Sequence, residues 1–283
     1  MVTFRVLIRL PLGYPGNTMD FIQSHISPYL QQYVSAVWAS RGDQGVTKER
    51  IVPDGGSVLI FNFGGSITST RSDGSSRTWT GNIFAGLMTS YIDLTYQGRF
   101  EQVGIVFKPF GAFHLVNCPM SEFLNSIVAL DLVDKYKFQQ VFETMADTDN
   151  LPQRLSIVNA WLEKIFAGKK IETFIPHVTS LLHDNEEISV SELADNIGKT
   201  QQHIGRSFNK YTGINPKKLQ RIFRFQKVLQ TLSFRQRLAL TDTAYQFNYF
   251  DQPHFNNEVK SFSGFTPSQI IKQNILGNLR VIR

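Results

Sequence analysis

A chain of 283 residues with 42% hydrophobic and 12% aromatic content can build two packed cores, which argues against disorder over most of its length. Its single cysteine, Cys118, excludes an intramolecular disulfide framework, and no run approaches the roughly 18 uninterrupted apolar residues of a membrane span. The net charge of +6 is uneven: residues 186–283 hold 14 Lys/Arg against 7 Asp/Glu and the first 185 hold 15 against 16, the footprint of a polyanion-binding module joined to a neutral domain.

The opening stretch Met1 to Leu10 is apolar only in pieces broken by Arg5 and Arg9, and Pro11 follows before a signal-peptide core can form, so a cytoplasmic protein with no membrane partner is expected. Up to about residue 130 the chain reads as short strands. Ser57 to Phe63 lies between Gly55-Gly56 and Gly64-Gly65, and Glu101 to Lys108 stops at Pro109. Thr68 to Thr80, centred on Asp73-Gly74, predicts a hairpin with an exposed turn. No helical pattern separates these strands, which favours a sandwich, jelly roll or small barrel over a parallel sheet.

From Phe110 the pattern turns helical, with short candidates at Ser121 to Leu124 and Phe138 to Met145. Beyond Asp147 to Pro152, the residues Leu151, Leu155, Val158, Leu162 and Ile165 recur at helical spacing on one face. That stripe fits either a homodimer seam or packing against the chain's own β-domain, and so short a run favours the second. Gly168-Lys169-Lys170 marks a joint. The resulting class is two-domain α+β: residues 1–168 form a β-domain with flanking helices, and residues 169–283 an all-α domain.

Within the last third the sequence repeats itself. One copy runs from Ile188 to Pro216 and the other from Leu238 to Pro267; Ile188, Val190, Ala194 and Ile197 match Leu238, Leu240, Ala244 and Phe247, and His203, Gly213 and Pro216 match His254, Gly264 and Pro267 one residue further on. Each copy predicts a short helix with a small alanine at a steep crossing, a turn, and a second helix. The first turn is Gly198-Lys199-Thr200, with Thr200 as N-cap. The apolar stripes are Ile204, Phe208, Tyr211 and Phe255, Val259, Phe262, which forces Gln201, Gln202, Gly205, Arg206 and Asn209 outward in one copy, and Gln252, Pro253, Asn256, Asn257 and Lys260 in the other. Gln, Asn and Arg can pair with base edges in the major groove, while Lys and helix N-termini suit phosphates. Between the copies, Pro216 to Leu232 predicts one connecting helix made basic by Lys217, Lys218, Arg221, Arg224 and Lys227, some of them simply solvated.

These residues resemble the AraC/XylS family of bacterial transcription regulators, which read DNA with two helix-turn-helix motifs joined by a long helix. SELADNIG followed by IGRSFNKYTGINPKK is similar to the first motif, and FDQPHFNNEVKSFSGFTPSQ to the second. The resemblance implies that Gln202, Gly205, Arg206 and Asn209 take base- or backbone-contacting places in the first recognition helix, and Gln252, Pro253 and Asn257 the matching places in the second. The expected DNA-binding set is Thr200, Gln201, Gln202, His203, Arg206, Asn209, Lys217, Gln252, Pro253, Asn256, Asn257 and Lys260. Where the family has Gly-Phe in the second turn this chain has Asn248-Tyr249, and Asn tolerates the left-handed conformation. A looser resemblance, over VPDGGSVLIFNFGG and VGIVFKPFGAFHLV, implies that residues 1–168 are a sensory or dimerisation domain with a cupin-like β-sandwich or barrel. Expected partners are promoter DNA, RNA polymerase in the case of an activator, a small-molecule effector and a second copy of the chain.

Other classes fit less well. A cupin-type enzyme needs converging histidines, and only His25 and His114 lie in the β-region. Cys118 has no adjacent His or Arg to activate its thiol for alkyl transfer, and no Gly-Lys-Ser/Thr follows the glycine pairs. No enzyme activity, metal or cofactor is therefore expected. A basic interaction module that ignores DNA remains the rival. The aromatics Trp38, Phe61, Phe63, Trp79, Tyr91 and Tyr96 either line a pocket or fill the core, with core favoured.

Overall fold

The computed structural model describes residues 19–185, 187–234, 240–272 and 279–280. The opening stretch and Leu238, the first position of the second repeat, lie outside the described residues.

Strands β1 (Met19–Gln23), β2 (Val34–Ile51), β3 (Ser57–Arg71), β5 (Ile83–Ala85), β6 (Ile92–Phe107) and β7 (Ile127–Ala129) lie in the order β1-β2-β6-β3-β5-β7, with β4 (Ser76–Trp79) on β3. All of these pairings are antiparallel. Three strands are far longer than expected: the apolar runs read as complete strands are only halves of β3 and β6. Gly55-Gly56 bound β3 as expected, but Gly64-Gly65, which look like its other end, form a bulge instead. The β3–β6 register shifts on either side of Gly64, and a Cβ on Gly65, at φ +73°, would lie 2.9 Å from the carbonyl oxygens of Arg99 and Gln97.

The sheet supports two larger apolar clusters. One buries Leu59, Phe61, Val103 and Ile105; the other buries Ile67, Trp79, Ile92 and Leu94. The expected hairpin forms, with the Gly74 amide donating to the Arg71 carbonyl at 2.9 Å and Ser75 N to Asp73 Oδ1 at 2.8 Å. Trp38, Phe61 and Trp79 are core residues.

Helices α1 (Phe113–Val116), α2 (Asp131–Ala146) and α3 (Leu151–Phe166) flank the sheet, with a 3-10 turn at Met120–Phe123. The stripe on α3 turns Leu151, Leu155, Val158 and Leu162 into the same core as Val37, Leu59 and Ile105, with Phe166 buried at the end and Ile165 at the margin. Burial of each such side chain contributes about 1.5–3 kcal/mol. The stripe is internal packing against the chain's own β-domain, the favoured of its two readings.

The last third folds as α4 (Phe174–Asp184), α5 (Val190–Ile197), α6 (Gln201–Thr212), α7 (Pro216–Phe234), α8 (Leu240–Gln246), α9 (Gln252–Ser263) and α10 (Pro267–Lys272). It is not wholly helical as expected, because a short β8 (Leu279–Arg280) pairs in parallel with Arg50 and Ile51 of β2. The helical core also includes Val52, Leu87 and Phe110 of the β-region, so apolar packing runs across the joint. Gln226 of α7 donates to the Pro53 carbonyl at the same place.

Candidate nucleic-acid interface

Each repeat is a pair of crossing helices built by local chemistry. In the first, Ser189 and Glu192 form a reciprocal capping box, with Ser189 Oγ accepting from Glu192 N at 3.1 Å and Glu192 Oε2 accepting from Ser189 N at 2.7 Å. This S-x-x-E signal was present in the sequence and was missed. Gly198 ends α5 in the left-handed region (φ +65°), and Thr200 Oγ1 accepts from His203 N at 3.1 Å to start α6. In the second copy Asn248 takes the left-handed place at φ +55°, and Asp251 Oδ1 caps α9 by accepting from His254 N at 2.7 Å. The crossing alanines, Ala194 and Ala244, are buried, as are both apolar stripes.

The two recognition helices also end alike. Thr212 and Ser263 stand at matching last positions, and their hydroxyls donate to the carbonyls of Phe208 and Val259 at 2.8 and 2.7 Å. Ile214 N and Phe265 N donate back to the same hydroxyls at 3.3 and 3.1 Å. Gly213 (φ +86°) and Gly264 (φ +79°) follow, and at both of them the β-region comes into contact. A Cβ on Gly213 would lie 2.9 Å from the Met120 carbonyl oxygen; one on Gly264 would lie 2.6 Å from Arg50 Nη1 and 2.7 Å from the Tyr91 ring. Arg50 is held for this contact by Asp93 at 2.6 and 2.7 Å, stacks 3.9 Å from Tyr91 and 4.6 Å from Phe265, and donates to the Ser263 carbonyl at 3.3 Å. The β-region thus grips the C-terminal end of each recognition helix.

The opposite faces are open. Thr200, Gln201, Gln202, His203, Arg206 and Asn209 are exposed on the first motif, as are Gln252, Pro253, Asn257 and Lys260 on the second, and Lys217 at the start of α7. Three qualifications come from the geometry. Thr200 is committed to its cap. His203 lies 5.4 Å from the Phe174 ring and 3.5 Å from Glu172 Oε2, so the segment after the joint partly occupies it. Asn256 is only part-exposed, with its Oδ1 buried and unpartnered.

Two arginines read as part of a basic surface have a different task. Arg221 Nε and Arg224 Nη2 each stand 2.6 Å from the Glu258 carboxylate, which is 1% exposed. Burial pushes the Glu258 carboxyl up, but the hydrogen bonds and charges of Arg224 and then Arg221 outweigh it and hold it below the usual glutamate range. Arg224 also lies 4.2 Å over the Tyr249 ring, whose hydroxyl burial raises far above the usual value. Glu258 falls between Phe255 and Phe262 on the buried stripe of α9, and a carboxylate on an apolar face needs a cation. That signal could have found this cluster; nothing in the sequence points to Arg50. Among the described residues, no group of three His, Cys, Asp or Glu is placed to hold a metal ion, and no helix is long and apolar enough to cross a membrane.

Residues 193–273 match the family described as a helix-turn-helix domain, and residues 25–129 match a domain of unknown function (DUF6597). No curated protein matches the chain. Among solved structures, it is similar to ToxT from Vibrio cholerae O395, at 7% identity and a TM-score of 0.45, covering 90% of this chain and 98% of that one. It is likewise similar to an apo ToxT variant from Vibrio cholerae strain SCE256, at 10% identity and a TM-score of 0.42, covering 90% and 97%. The AraC-like transcriptional activator CuxR is similar at 11% identity and a TM-score of 0.33, covering 79% and 85%. The matched family model and the repeated geometry of the helices make residues 193–273 a helix-turn-helix domain.

Proposed function

We propose that residues 169–283 read promoter DNA by setting α6 and α9 into successive major grooves, while residues 1–168 govern how the two helices are presented. The observation that carries this reading is the pair of matched recognition helices, each with an open Gln/Asn-bearing face and each gripped from behind at its terminal glycine. Helix α7, with 19 residues, spans about 28 Å, commensurate with the roughly 34 Å between successive major grooves on one side of B-DNA.

Within the first motif Arg206 and Gln202 are the main base readers, with Gln201, His203 and Asn209 beside them and Lys217 on the backbone. In the second, Gln252, Pro253, Asn257 and Lys260 contact DNA, with Asn256 contributing least. Arg224 is withheld from phosphate by its burial against Glu258, while Arg221, bound to the same carboxylate, keeps a part-exposed side chain. The protein acts in the cytoplasm, and a small-molecule effector bound by the β-domain adjusts the grip on the helices. RNA polymerase is the partner if the regulator activates. A homodimer must use a surface other than the α3 stripe.

The test is selection of binding sites from random duplexes at fixed, near-physiological salt, with wild type and Arg206→Ala in parallel. The expected result is a motif spanning about two helical turns, with the variant losing about 1–3 kcal/mol of discrimination at one guanine. Equal enrichment of every sequence by the wild type would leave a basic interaction module in place of a DNA reader.

A further inference from the structure

The second motif turns outward an aromatic side chain that the fold does not use. Its turn has one residue more than the first, Asn248 to Asp251 against Gly198 to Thr200. Two of the flanking side chains are committed. Tyr249 points inward at 3% exposure, with its ring 5.0 Å from Phe255 and 5.4 Å from His254, and Asp251 caps α9. Phe250 stands between them at 87% exposure, the highest among the large apolar side chains found exposed in the described residues.

A hydrophobic residue just before an N-cap ordinarily packs on the fourth residue of the helix. That residue here is Phe255, which is fully buried and already faces the Tyr249 ring. The longer turn therefore leaves Phe250 outside, one residue before the helix that begins with Gln252 and Pro253. This is the end of a recognition helix that meets base edges in helix-turn-helix complexes, whereas the β-region grips the far end at Gly264. A phenyl ring offers no hydrogen bond, and the base feature in the major groove that suits it is the 5-methyl group of thymine.

We propose that Phe250 is a specificity-determining residue of the second half-site, selecting thymine by packing its ring on the 5-methyl group. This rests on the DNA-reading function above and adds to it a contact that the first motif lacks, since Lys199 stands before its N-cap.

The experiment uses the full chain and the operator obtained by selection, with each thymine of the second half-site replaced singly by deoxyuridine. Wild type, Phe250→Ser and Phe250→Leu are compared by equilibrium binding. At one position wild type should lose about fourfold on removal of the methyl, the factor that corresponds to burying one such group. F250S should bind the thymine operator weaker by at least that factor and bind both operators equally, while F250L keeps part of the preference. Because the ring is exposed, the thermal unfolding of F250S should match wild type, so a binding loss is not a folding loss. Wild-type affinity and an unchanged thymine-to-uracil ratio in F250S would overturn the assignment. So would F250S that keeps operator binding but fails to support transcription with purified RNA polymerase, which gives the ring to a protein partner. Absence of any sequence preference in the wild type removes the DNA reading itself, and this contact with it.

Discussion

The two motifs share one apolar scheme and differ in what fixes them. Both bury an alanine crossing and a three-residue stripe, and both close on a left-handed glycine touched by the β-region. The first is otherwise held by local capping, with a reciprocal box at Ser189 and Glu192 and a glycine turn. The second replaces that turn with Asn248, and anchors its recognition helix by a buried carboxylate clamped by two arginines of α7. One apolar template therefore tolerates two kinds of polar anchor. The second kind ties α9 to the connecting helix and makes it the more vulnerable motif.

The strongest way to break that asymmetry is Glu258→Ala. Removing one partner of a buried ion cluster leaves uncompensated charge and costs about 3–5 kcal/mol, and among the described residues the first motif has no buried carboxylate to match it. Urea unfolding of the two proteins checks this, and an unchanged midpoint would show that the cluster is not an anchor. Acid gives an independent reading. The folded Glu258 carboxyl lies below its unfolded value, so its stabilisation is present above about pH 4.3 and is lost as pH falls through the folded value. Glu258→Gln should remove that part of the acid sensitivity.

The difference also explains which parts of the molecule were legible in the sequence. The stripes, Thr200 as a cap and the left-handed Asn248 could be read because they depend on residues within a turn or two of one another. The long strands could not, because Gly64 and Gly65 look like a strand end and become a bulge only when Gln97 and Arg99 lie opposite. Arg221 and Arg224 read only as charges on a basic helix, some of them simply solvated, because their partner lies 37 and 34 residues away. Arg50, at 213 residues from the Ser263 carbonyl it meets, carries no local mark at all.

A smaller effect sharpens the shared feature. Alanine at Gly213 or Gly264 must adopt a positive φ, which costs about 1–2 kcal/mol, and must also displace a different neighbour at each place. At Gly264 the neighbours are the Arg50 and Tyr91 side chains and at Gly213 they are backbone. In an Arg50→Ala background the cost of Gly264→Ala should fall by at least about 0.5 kcal/mol while that of Gly213→Ala stays fixed. Equal behaviour of the two glycines in this double-mutant cycle would mean that Arg50 does not grip the second motif.

The smallest expected change concerns the turns themselves. Asn248 and Gly198 occupy the same left-handed place at φ +55° and +65°, so exchanging their residue types isolates backbone cost from every other difference between the motifs. Asparagine tolerates this conformation better than other side chains but less well than glycine. Asn248→Gly should therefore stabilise the protein by about 0.5 kcal/mol, and Gly198→Asn should destabilise it by a similar amount. Matched, opposite shifts in the unfolding midpoint would confine the asymmetry of the motifs to the Glu258 cluster. A loss on Asn248→Gly would instead assign the asparagine side chain a contact of its own, and the second turn would then differ from the first in chemistry as well as in length.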